Sequence, residues 1–144
     1  MIQERYLVKS TGDNQSGAEA GLIKALELLG KHKAAMIVVP TIGNFKHSML
    51  TKVLLPEHAK LLLKERKITF SDGTTIGLCA QSQLKNHRNI DVFLDMWGTQ
   101  YSIADIESMF GWKAVVLVTW GPTDSKEWEA KYPVSIIFDD SGVS

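Results

Sequence analysis

The run Ser10-Thr11-Gly12-Asp13-Asn14-Gln15-Ser16-Gly17 holds the residue types that a phosphate-binding turn requires. Glycines let the backbone approach a ligand closely, and the free N–H groups at a helix start attract negative charge. Gly12, Asn14, Ser16 and Gly17 are therefore candidates for ligand binding. Asp13 opposes a phosphate there unless it points away or holds a metal. The competing account is mechanical: a tight strand-to-helix turn needs glycine and a capping side chain with or without a ligand.

Two later turns carry aromatic rings. Trp97-Gly98 and Trp120-Gly121 each follow an apolar run and precede a short polar segment. Two rings at such turns can sandwich a nucleobase or another flat ligand, or they can close the end of the core as lids. Thr41, just beyond the apolar run 34–39 and Pro40, stands in the same kind of position. Asp95, Thr119, Asn44 and Lys46 are the candidates for catalysis, as acid, hydroxyl and cationic clamp on a phosphate ester; nothing in their spacing demands that chemistry. Standard alternatives are missing from the sequence. There is no Gly-x-Gly-x-x-Gly dinucleotide fingerprint and no Gly-x-Ser-x-Gly elbow. His32, His47, His58 and His87 are scattered, so no metal and no cofactor are expected. Cys79 lies in an apolar run and reads as an inert thiol.

Several of these segments follow one another in a known order. The spacing Gly12-x-x-x-x-Gly17 is similar to the frame of a P-loop, and Val38-Val39-Pro40-Thr41 is similar to an early helicase motif. The segment 68–79 followed by Val92-Phe93-Leu94-Asp95 resembles the region before the acidic motif of helicase- and terminase-like ATPases. Val116 to Thr119 falls where the polar end of a later strand would sit. The resemblance spans Tyr6 to about Thr119 and implies a degenerate ATPase core. Three functional positions depart from it. Ala18 and Glu19 stand where Lys and Ser/Thr would hold the phosphates and magnesium, and Met96 stands where a glutamate would position water. ATP hydrolysis by that route is not expected.

The elements that must position these residues alternate. Tyr6 to Val8, Ala34 to Val39, Val92 to Leu94, Val115 to Val118 and Val134 to Phe138 read as strands. Leu22, Ile23, Leu26 and Leu29 recur at helical spacing, with Gly30 as the stop. Pro56 opens a second helix running to about Arg66. Asp72-Gly73 between two β-prone runs predicts a hairpin, which either extends the sheet or forms a flap. Short helices follow at 102–105 and 124–131. This order predicts an α/β fold: a three-layer, Rossmann-like single domain (1–144) with a mostly parallel sheet and a hairpin insertion. Residues 139–144 read as a flexible tail. Right-handed crossovers then bring loops 10–17, 41–47, 96–101 and 119–124 to one edge of the sheet, where such folds bind ligands.

Composition narrows the partners. Sixteen basic residues balance 16 acidic ones, so a strong nucleic-acid binder is not expected. The absence of a signal-like start and of a long apolar run predicts a cytoplasmic protein with no membrane span. The leading expectation is a non-hydrolytic binding or sensor domain for a nucleotide-like or phosphorylated ligand. A protein-interaction or homodimer module using the cluster Met109, Phe110 and Trp112, or an enzyme with an unrecognised site, are the alternatives.

Overall fold

The computed structural model describes residues 3–140. Seven strands form one sheet: β1 Glu4–Lys9, β2 Ala34–Val39, β3 Lys67–Thr69, β4 Thr75–Ala80, β5 Val92–Gly98, β6 Ala114–Thr119 and β7 Ser135–Asp139. They lie in the order β3-β4-β2-β5-β6-β1-β7. Every neighbouring pair is parallel except β3 with β4. The fold is thus the expected α/β layered domain with a mostly parallel sheet. The hairpin extends the sheet: β3 is its antiparallel edge, and β4 runs parallel to β2.

The helices are α1 Gln15–Leu29, α2 Ile42–Lys46, α3 Leu50–Val53, α4 Pro56–Glu65, α5 Gln100–Glu107 and α6 Lys126–Lys131, with a 3-10 helix at Gln81–Asn86. Apolar spacing decides their faces. Ala18, Leu22, Ala25 and Leu29 of α1 bury against Val39, Leu94, Met96 and Val116, and Phe45, Leu50 and Leu62 from α2 to α4 join the same layer. Leu84, Ile103, Ile106 and Trp128 cover the other face, against Val38, Phe93, Val115 and Leu117. The inner strands are apolar on both faces because both faces are covered.

This arrangement sets where the loops go. After β1 and β2 the chain turns to the α1 face; after β4, β5 and β6 it turns to the opposite face. β2 and β5 are neighbours whose following loops leave in opposite directions, which opens a crevice at their carboxyl ends. The tail expectation fails at its start. Asp139 ends β7, and the Asp140 N–H donates to the Lys9 carbonyl at 3.0 Å, so the parallel ladder continues through both. Residues 141–144 lie outside the described residues. No described helix is long and apolar enough to cross a membrane.

Candidate functional site

A cleft of about 520 Å³ opens at the carboxyl edge of the sheet. Each of the four loops contributes: Asp13 from the first, Asn44 and His47 from the second, Trp97 and Thr99 from the third, and Trp120 from the fourth. Pro40 and Gly43 complete the β2 side, and Gln81 enters from the end of β4.

The third loop owes its shape to a β-bulge. Met96 pairs with Val118 and Gly98 with Thr119, leaving Trp97 as the extra residue. Trp97 has φ 53°, in the left-handed region that a bulky side chain rarely enters. The bulge puts Trp97 on the same face as Met96, where ordinary alternation would send it to the other side. The ring packs against the α1-side core, only 4% of the residue is exposed, and it still lines the cleft. Gly98 follows because nothing larger fits: a Cβ there would lie 2.4 Å from Leu117 Cδ1 and 2.5 Å from Asp95 Oδ2. Thr99 then caps α5, accepting from the Tyr101 and Ser102 N–H groups.

Trp120 is different. It is 52% exposed and forms a wall of the cleft. Its backbone is held on both sides, because its carbonyl accepts from Gly12 N at 2.8 Å and its N–H donates to the Gly98 carbonyl at 3.3 Å. Gly121 N–H donates to the Asp124 carboxylate at 2.7 Å, which closes the turn. Opposite, the Thr41 hydroxyl caps α2, accepting from Asn44 N at 3.1 Å and donating to Asn44 Oδ1 at 2.8 Å. This fixes the Asn44 amide at the rim.

The first loop serves the fold. Gly12 takes φ 65° and ties the loop to Trp120. The Asn14 side chain caps α1 by accepting from Gly17 N at 3.0 Å, while its Nδ2 donates to Asp140 at 2.7 Å. Gly17 is buried, and a Cβ there would lie 2.6 Å from Ser10 Oγ, so glycine is needed for α1 to start close against β1. Ser16 is exposed on the first turn of α1, away from the cleft lining. Asp13 accepts from Met49 N with both oxygens, at 3.1 and 3.0 Å, and so fastens this loop to the segment before α3.

The four catalytic candidates do not converge. Asn44 lines the cleft; Lys46 is exposed on α2 and does not. Thr119 is buried and bridges β6 to β1, donating to the Ser10 carbonyl at 2.9 Å and accepting from Ser10 N at 3.2 Å. Asp95 is wholly buried on the α5 face, and its Oδ2 accepts from Ser102 Oγ at 2.7 Å. Burial pushes its carboxyl up to about 7, against which the Ser102 hydrogen bond works. Cys79 is also buried, and burial with the nearby Asp95 pushes its thiol up to about 12. Among the described residues no three His, Cys, Asp or Glu side chains gather as a metal site.

The cleft is therefore aromatic and polar but poor in positive charge. Its lining includes no lysine or arginine, and Asp13 is its acidic group. Sequence reasoning missed Gln81, Thr99 and His47. Gln81 follows β4, and a hairpin strand gives no signal that its end belongs to the parallel edge. Compared with known proteins, the chain matches no family model, and no curated protein and no solved structure is significantly similar to it.

Proposed function

We propose that this chain is a non-hydrolytic binding domain that takes a nucleotide-like ligand at the carboxyl edge, with the base held at Trp97 and Trp120. The observation that carries this reading is the pair of tryptophans from neighbouring strand ends lining one cleft of about 520 Å³, a size suited to a small ligand. Trp97 supplies a rigid floor and Trp120 an exposed wall. Asn44, Gln81 and Thr99 offer donors and acceptors to the edge of a flat heterocycle. The absence of Lys and Arg from the lining puts the affinity in the base and sugar, not in a phosphate chain. The buried, Ser102-bonded Asp95 and the missing P-loop lysine weigh against hydrolysis.

Tryptophan fluorescence during titration with adenosine, AMP and ATP tests this. Adenosine is expected to bind at least as tightly as ATP. Trp120→Ala is expected to weaken binding roughly ten-fold or more, since stacking on an aromatic side chain is worth ~1–3 kcal/mol per base. Unchanged affinity in Trp120→Ala would remove the reading.

A second reading, a homodimer, has β7 in its favour. This edge strand leaves Ile136 and Ile137 exposed, at 50% and 38%. Unpaired edge strands are templates for sheet extension, although Asp139 and Asp140 place charge at its end. Sedimentation of wild type and Ile137→Lys decides it: a dimer lost in the variant supports the reading, and a monomer throughout excludes it.

A further inference from the structure

We propose that a second ligand site lies at the opposite, amino-terminal edge of the sheet and takes a phosphate monoester carried on an aromatic or aliphatic body. This site does not depend on the reading of the carboxyl-edge cleft. A groove of about 440 Å³ runs between loop 87–91, which precedes β5, and loop 108–113, which precedes β6. Its chemistry is the reverse of the first cleft's. Lys85, His87 and Arg88 line it and no carboxylate does. None of these three side chains takes part in an ion pair among the described residues. Asp91, the acid nearest in sequence, is already engaged. Its Oδ2 accepts from Lys33 N at 2.9 Å and Ala34 N at 3.1 Å, and its Oδ1 from Lys113 Nζ at 3.3 Å.

The same contacts make the groove rigid. Lys113 N–H donates to the Asp91 carbonyl at 2.7 Å, which locks the two loops together. Asn89 at φ 61° and Gly111 at φ 83° set their turns. The apolar part is built from Phe93 at the floor, with Ile90 and Met109 partly buried beside it. Phe110 stands at the rim, 100% exposed. The exposed Phe110 shares this groove with two cations that make no ion pair, and a ligand with an anionic head and an apolar body complements both halves. The Arg88 guanidinium can meet a phosphate with two N–H groups, Lys85 adds a point charge, and Phe110 covers the body. Lys85, His87 and Arg88 around one exposed phenylalanine are too few to track a nucleic-acid strand, whose binding needs a charged groove and successive stacking rings.

The test is an NMR titration of the full chain with phenyl phosphate, alongside phenol, benzoate and inorganic phosphate. Phenyl phosphate is expected to shift the signals of residues 85–90 and 108–110 saturably, with Kd of about 1 mM or below. Phenol, benzoate and inorganic phosphate are expected to bind at least several-fold more weakly. Arg88→Glu should raise Kd at least about ten-fold, the equivalent of ~1.4 kcal/mol, and Phe110→Ala should raise it several-fold. Both side chains are exposed, so both variants keep the fold. No saturable shift, equal binding of phenol or of inorganic phosphate, or an indifferent Arg88→Glu would overturn the proposal. Shifts confined to Trp97 and Trp120 would overturn it too, by assigning the ligand to the other cleft.

Discussion

Asp95 shows how one side chain can look catalytic in sequence and act otherwise in the fold. It ends an apolar run, as metal- or water-positioning acids do, yet it is wholly buried and turned to the α5 face. Its carboxyl is held up to about 7 in the folded chain, against an ordinary 3.8. The folded state therefore keeps a proton that the unfolded chain has lost. The stability Asp95 contributes is fully present below about pH 3.8 and drains away as pH rises to about 7. Asp95→Asn is expected to flatten this fall, which reaches roughly 1.4 kcal/mol per pH unit at its steepest. Asp91 does not confuse the measurement. Burial pushes its carboxyl up, but the Lys33 and Ala34 N–H groups and Lys113 together outweigh this and hold it below the usual range, so its contribution is lost only at lower pH. Chemical denaturation between pH 4 and 8 checks this, and an unchanged slope in Asp95→Asn would contradict it. Trp97 and Trp120 were legible as strand-end residues because each closes an apolar run and precedes glycine. That Trp97 would be the floor and Trp120 the wall was not, because a bulge leaves no mark in the sequence.

At the scale of elements, the turn 96–99 is the most constrained part of the cleft. Gly98→Ala forces a Cβ into Leu117 and Asp95, and is expected to destabilise the fold by ~1–3 kcal/mol. Thermal unfolding with full amplitude and an unchanged midpoint would refute that packing. A second lock joins α5, α6 and β1. Arg5 Nε donates to Glu107 Oε2 at 2.7 Å, Trp128 Nε1 donates to the same oxygen at 2.7 Å, and the Arg5 guanidinium lies over the Tyr132 ring at 4.1 Å. The Arg5 and Glu107 side chains are only 9% and 10% exposed. Glu107→Ala strands a nearly buried charge and an indole N–H, and is expected to cost ~3–5 kcal/mol; a loss under about 1 kcal/mol in denaturant titration would show the pair to be solvated. None of this network was readable, since 102 residues separate Arg5 from Glu107. The periodic elements were readable, because both-face burial gives continuous apolar strands and one-face burial gives helical spacing, but in α1 only Leu22 and Leu29 of the four spaced residues bury, while Ile23 and Leu26 face outward. The hairpin itself was readable from Asp72-Gly73, but its place was left open between sheet and flap; its second strand, β4, joins the parallel sheet, and Gln81 reached the cleft by that unread step.

For the whole molecule, strand order does what no local motif could. The crossover from β1 to β2 leaps over two strands, and the later strands fill the gap between them. Four loops separated by as many as about a hundred residues meet at one edge as a result. Alternation of strands with helices predicts that common edge, and the parallel pairing of β1, β2, β5 and β6 produces it. The order itself, and the charge of the cleft it creates, depend on long-range packing that sequence periodicity does not encode. The phosphate expectation for loop 10–17 weakens for that reason. Its glycines and Asn14 are spent on the turn and the α1 cap, and the lining of the cleft beside it includes no lysine or arginine.

The central claim, a flat ligand held at two tryptophans, is tested most directly by the indole N–H signals of the four tryptophans during an adenosine titration. Trp97 and Trp120 line the cleft, whereas Trp112 and Trp128 are buried on the α5 face. Saturable shifts of the Trp97 and Trp120 signals, with Trp112 and Trp128 unmoved, are the predicted result. Four unmoved signals at saturating adenosine, or shifts of Trp112 and Trp128 alone, would contradict it.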